Sequence, residues 1–152
     1  MDKAFHVENR RKLSAHMAEN DVMLFFSGKG QQKSADEHFP FFANRNFLYL
    51  TGIHQEQSVL LMRKKGNQIS ERIFVNKPNL EQEVWTGRRL TEAEIHEISG
   101  VTDVEDIQNL DREMEGLFSF QHVTTLWLCF DAHASEHSLD IERTLAKRIQ
   151  SR

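Results

Sequence analysis

Val22-Met23-Leu24-Phe25-Phe26, closed by Ser27-Gly28, is the stretch that decides the fold. Five apolar residues in a row, with no polar alternation, suit a strand covered on both faces. Such a sheet needs helices above and below it. Upstream, His6 to Asn20 predicts a helix: Val7, Leu13 and Met17 are apolar among charged neighbours, and Asn20-Asp21 ends it. Downstream, Ser58–Met62 and Arg72–Val75 are apolar-centred runs. Lys64-Lys65-Gly66-Asn67 lies between them, which predicts a β-hairpin. Val101–Ile107 predicts a short strand, and Thr124–Phe130 a second strongly buried one.

Helix signals fill the gaps. Pro78-Asn79 opens a short helix through Glu83 and Trp85, stopped near Gly87. Thr91 to Ile98 has the strongest pattern. Thr91 and Glu94 form a capping box, Leu90 and Ile95 occupy the staple positions, and Gly100 closes the helix. Asn109 to Phe118 is amphipathic, with Leu110, Met114, Leu117 and Phe118 on one face. Ser138 to Gln150 predicts a last helix through Leu139, Leu145 and Ile149. Strands alternating with helices, plus one hairpin, predict a three-layer α/β fold with a mixed central β-sheet flanked by helices. No repeat or internal boundary divides residues 1–152, so one domain is expected. Gln150-Ser151-Arg152 ends the sequence inside a helical pattern without a cap, which fits a native end or a fragment of a longer chain.

Composition narrows the class. Of 152 residues, 39% are hydrophobic and 28% charged, with seven Gly and two Pro, which excludes disordered, collagen-like and low-complexity chains. The net charge of −4 provides no basic field, so neither nucleic acid nor an anionic membrane is an expected partner. Cys129 is the single cysteine; it sits in an apolar run and reads as a buried, inert thiol. The N-terminus lacks a signal-peptide core, and the longest apolar runs are too short for a bilayer. A soluble, cytoplasmic domain is expected.

Catalytic patterns are missing. Ser27-Gly28-Lys29-Gly30-Gln31-Gln32-Lys33-Ser34 follows a strand, but a P-loop ending at Lys33-Ser34 needs Gly where Ser27 and Gln32 stand. A dinucleotide loop needs Gly where Lys33 stands, so the stretch reads as an ordinary loop. His133 and His137 are four apart with Asp131 and Glu136 nearby, yet no HExxH surrounds them and the segment reads as solvated surface. No G-x-S-x-G elbow occurs. The sequence therefore offers no catalytic residue and no metal site of its own.

Two segments resist a bland reading. One is Ser34-Ala35-Asp36-Glu37-His38-Phe39-Pro40-Phe41, leading to Asn44-Arg45-Asn46-Phe47-Leu48-Tyr49-Leu50-Thr51-Gly52. The other is Glu83-Val84-Trp85-Thr86-Gly87-Arg88-Arg89-Leu90. Their order and spacing resemble the N-terminal domain of the aminopeptidase P family, the Xaa-Pro aminopeptidases related to prolidase and creatinase. The resemblance covers nearly the whole chain and implies a ribonuclease-H-like topology.

It also implies a non-catalytic domain placed ahead of a pita-bread catalytic domain, absent from these residues, that holds two divalent metal ions, usually manganese. The implied partners are Xaa-Pro peptide substrates, the protein's own C-terminal catalytic domain, and further copies in a homodimer or homotetramer. The resemblance makes Trp85 a wall of the substrate pocket against the proline ring. Arg88 and Arg89 become candidates for the peptide's polar parts, and Arg152 the candidate for a late pocket arginine. Two alternatives accompany this reading: a peptide- or protein-binding module without catalysis, and the N-terminal domain of a prolidase.

Overall fold

The computed structural model describes residues 2–28, 43–77, 89–120 and 123–129. Helix α1 (Lys3–Ser14) precedes strand β1 (Asp21–Phe26). Helix α2 (Arg45–Thr51), strands β2 (Val59–Lys65) and β3 (Gln68–Val75), and helix α3 (Glu92–Ser99) follow. Strand β4 (Val104–Asp106), a 3-10 turn, helix α4 (Leu110–Phe120) and strand β5 (Thr125–Cys129) complete the described elements. The expected loop after Gly28, the helix from Pro78, the His133/His137 segment, the helix from Ser138 and the side chain of Cys129 lie outside the described residues.

The strands form one mixed sheet in the order β4-β3-β2-β1-β5. β2 lies between β1 and β3 and runs antiparallel to both, while β4 runs parallel to β3 and β5 parallel to β1. The hairpin turns through Gly66-Asn67, with Lys65 opposite Gln68. Gly66 takes φ +63°, a left-handed conformation that glycine adopts without a Cβ penalty.

Register sorts the side chains into two layers. Leu24, Leu61 and their neighbours Val22, Phe26, Val59 and Phe74 face Leu110 and Met114 of α4. Leu60, Met62 and Ile73 face the other way, into a core with Phe47, Leu50 and Ile53 around α2 and Ile95 of α3. β2 is thus covered on both faces, as its apolar run requires. The observed architecture is the expected three-layer α/β fold.

Three elements depart from the sequence pattern. The first helix starts at Lys3 and stops at Ser14, short of Asn20. Asp2 caps its start by accepting from Phe5 N at 3.1 Å. Beyond its end, the Asp21 carboxylate accepts from Ala18 N at 2.9 Å and draws the chain into a turn. Met17 reaches the core from that turn instead of from a helix face. The second departure is α2, formed by an aromatic stretch that the pattern left unassigned. Asn44 Oδ1 caps it by accepting from Asn46 N (2.9 Å) and Phe47 N (3.3 Å). Gly52 ends it with φ +72°. Third, β5 is less covered than expected: Leu126 and Leu128 are only half-buried, and Trp127 is 54% exposed. Among the described strands, β5 has β1 alone as a neighbour and lies at the sheet edge.

Candidate functional site

One end of the sheet gathers the boundaries of both unusual sequence segments. Residues 29–42 depart from Gly28, just past β1, and re-enter at Ala43 before α2. Asn44 N donates to Ser27 O at 2.9 Å, which brings those two boundaries together. Residues 78–88 depart from Lys77, just past β3, and re-enter at Arg89 before α3. Arg89 Nη1 donates to Lys77 O at 3.3 Å, so this pair of boundaries also meets.

The loop between α2 and β2 joins the two pairs. Gln57 N donates to Gly28 O at 2.7 Å, while Gln57 Oε1 accepts from Asn76 Nδ2 at 2.7 Å. Gln57 reaches both partners from φ +56°. Two residues earlier, Gln55 Oε1 accepts from Leu90 N at 2.8 Å. An ion pair between Lys77 Nζ and Glu92 Oε1 (3.0 Å) ties the end of β3 to the first turn of α3. The hydrogen bond from Lys77 to Glu92, helped by the carboxylate's charge, holds the Lys77 ammonium above its ordinary pKa. The pair is solvent-exposed, so it contributes orientation more than stability. α3 begins with the expected capping box: Glu94 N donates to Thr91 Oγ1 (3.2 Å), and Thr91 N to Glu94 Oε1 (3.3 Å).

A second polar cluster secures α1 to the sheet. Arg10, 2% exposed, donates through Nε to Glu71 Oε2 (2.6 Å) and through Nη1 to Leu50 O (2.8 Å). Asn9 Nδ2 donates to Tyr49 O at 2.9 Å, and His6 Nδ1 lies 2.9 Å from the same oxygen. A carbonyl only accepts, so Nδ1 carries the His6 proton. These three side chains supply donors to carbonyls that the last turn of α2 leaves without helical partners. A cleft of about 290 Å³ opens beside them, lined in part by Lys12, His16, Asn46 and Tyr49. On the opposite face a 200 Å³ cleft surrounds Arg72. Arg72 is engaged there by Asp103 (2.9 Å) and Glu113 (2.6 Å). Burial pulls its guanidinium pKa down, but these carboxylates outweigh that and hold it above the ordinary value. An arginine neutralised twice is a structural tie rather than an anion site.

The profile of the family described as "Aminopeptidase P, N-terminal domain" matches residues 6–127. The chain belongs to this family. It is 26% identical to a Xaa-Pro aminopeptidase of Haemophilus influenzae over 142 residues, covering 91% of this chain and 33% of that protein. Against a Xaa-Pro aminopeptidase of Escherichia coli it is 30% identical over 93 residues, 60% of this chain and 21% of the relative. A solved structure from Bacillus anthracis, assigned as an aminopeptidase P, matches with TM-score 0.88 and 28% identity, over 100% of this chain and 36% of that one. Aminopeptidase P from E. coli with the inhibitor Pro-Leu matches in fold, with TM-score 0.82 and 20% identity over 99% of this chain and 33% of that one. The chain therefore spans a fifth to a third of the length of the curated relatives it matches.

Among the described residues no three His, Cys, Asp or Glu side chains converge as a metal ion requires, and no helix is long and apolar enough to cross a membrane. Of the expected pocket residues, Arg89 is half-buried and donates to Lys77 O; Trp85, Arg88 and Arg152 lie outside the described residues. Gln55, Gln57 and Asn76 were not legible as site-building residues. Their contacts join positions 19 to 35 residues apart, and no local pattern encodes such pairs.

Proposed function

We propose that this chain is the non-catalytic N-terminal domain of a metal-dependent Xaa-Pro aminopeptidase, a protein that removes the N-terminal residue preceding proline. The family match over residues 6–127 carries this reading, and the coverage of a third or less of each curated relative supports a further domain in the whole protein. In that cytoplasmic protein a C-terminal catalytic domain binds two divalent ions, taken as manganese, which supply Lewis-acid activation of water.

The N-terminal domain joins protomers into a homodimer or homotetramer and shapes the mouth of the substrate pocket. Trp85 is the apolar wall for the proline ring, a rigid surface that an indole face suits. Arg88, Arg89 and Arg152 serve the peptide's polar parts. Arg89 Nη1 is engaged with Lys77 O, so Arg88 is the first of the pair to test against substrate.

The test uses the full-length protein with manganese and a peptide carrying proline second. Trp85→Ala is expected to lower kcat/KM by ~10–200-fold, the range for losing an apolar pocket contact. Its melting temperature is expected to stay close to that of the parent. A core Trp lost to Ala costs ~3–5 kcal/mol instead, so a large fall in melting temperature with unchanged kinetics defeats the assignment. Hydrolysis confined to Xaa-Pro dipeptides would point to a prolidase. Peptide binding by the isolated chain, with no turnover by the full-length protein, would point to a binding module.

A further inference from the structure

The cleft between α1 and α2 has a frame fixed by buried donors. His6 and Asn9 both reach Tyr49 O at 2.9 Å, and Arg10 reaches Leu50 O at 2.8 Å, so α1 is locked against the last turn of α2. The gap of about 290 Å³ beside this lock is thereby pre-formed, which lowers the cost of filling it. Its volume lies at the small end of the range for small-molecule sites, about 300–1,000 Å³. Floor and mouth differ in chemistry. Leu50 is buried, and Leu13 and Phe25 are half-buried, which gives an apolar floor. Tyr49 adds an aromatic wall, steadied by the Phe5 ring that meets it edge-on at 5.5 Å. Lys12 and His16 are exposed and stand four apart on α1, on one helix face at the mouth. Among the described residues no Asp or Glu lines the cleft. Glu8, one turn before Lys12, is held by Arg11 at 2.8 Å. Among the described residues Lys12 has no hydrogen bond or ion pair of its own.

We propose that this cleft is a binding site for a small aromatic carboxylate. The ring lies over Phe25 and Leu13 beside Tyr49, where flat apolar surface is removed from water. The carboxylate stays at the mouth. There it accepts from the Lys12 ammonium and from an imidazole N–H of His16, which the ring carries in either protonation state. A cationic ligand does not fit, because it would face Lys12 with no carboxylate in the lining to offset the repulsion. The site uses only α1, α2 and β1, so it stands independently of the peptidase reading above.

The test is an amide-correlation NMR titration of the 152-residue chain with naphthylacetate. Saturable shifts are expected at the Lys12, Leu13, His16, Tyr49 and Leu50 amides, with Kd about 0.1–1 mM for a ligand of this size. Naphthylacetamide, the same body without the charge, is expected to bind about three- to tenfold more weakly. Acetate, the charge without the body, is expected to give no saturable shift there. Lys12→Gln should weaken the acid about 1.5- to 5-fold and leave the amide unchanged. Added salt should weaken the acid in the same selective way, by screening. Should Lys12→Gln not fold, Lys12→Met carries the same comparison. Equal affinity for acid and amide overturns the proposal. So do shifts scattered over the surface, or an acid affinity indifferent to the loss of the Lys12 charge.

Discussion

At the scale of single residues, Gly52 and Gly66 separate two costs that sequence alone merges. Both have positive φ, +72° and +63°. A Cβ on Gly66 would meet nothing within 4 Å, whereas one on Gly52 would lie 2.4 Å from His6 Nε2. Gly66→Ala is therefore expected to cost only the left-handed penalty, roughly 1–2 kcal/mol. Gly52→Ala adds a collision with a buried ring whose Nδ1 is tied to Tyr49 O, and relief requires breaking that tie. A further loss of about 1–3 kcal/mol is expected from it. Urea unfolding of the two variants checks the difference; equal losses would mean that His6 moves aside freely. The sequence marks both glycines as punctuation. It does not tell that one of them lies under a histidine 46 positions away.

At the scale of elements, legibility follows how local the determining interaction is. The capping box of α3 and the Gly66-Asn67 turn lie within a few residues, and the structure places both as the pattern implies. α2 was hidden because its seven residues hold barely two turns, too few for a helical period to emerge from an aromatic-rich stretch. The length of α1 was misread because Met17 continues the apolar spacing while reaching the core from a turn. The coverage of β5 was misread because an apolar run does not reveal whether its strand is central or at an edge.

β4 offers an element-scale prediction. Glu105 Oε1 accepts from Asp106 N and Asn109 Nδ2, both at 2.9 Å, which fastens β4 to the 3-10 turn. The backbone bond from Asp106, then the Asn109 amide, holds the Glu105 carboxyl below its ordinary pKa. A lowered folded value means that the tie is fully present above the unfolded carboxylate pKa and is lost as pH falls through the lower folded one. Amide exchange at Asp106 should therefore rise on acidification below the ordinary carboxylate range, relative to β2 amides, and Glu105→Gln should flatten that response. An Asp106 amide whose relative protection is indifferent to acid would refute the tie.

At the scale of the molecule, the two apolar cores share the same strands. β1, β2 and β3 contribute one face to each, so neither layer can be dismantled without exposing the other. Urea unfolding is expected to be a single transition, with a slope of about 1–3 kcal/mol/M, the range for small proteins. Circular dichroism and Trp127 fluorescence in a Trp85→Phe chain should trace coincident curves; a biphasic or probe-dependent transition would contradict this. The layered plan itself was readable from uninterrupted apolar runs. The meeting of the boundaries of residues 29–42 and 78–88 at one sheet end was not, because it arises from the antiparallel course of β1 to β3 and from Gln55 and Gln57 reaching across it.

The parallel pairing of β1 with β5 has a consequence in time. Asp21 is opposite Thr125, so β1 leaves the ribosome long before its partner exists. At about 5–20 residues per second, that interval is roughly 5–20 s. The hairpin can already have formed on one side of β1 while the other side still presents open N–H and C=O groups next to Met23 and Phe25. Neighbouring nascent chains on one messenger would expose the same edge together. The interval before residue 125 is therefore when this protein is most open to pairing with itself.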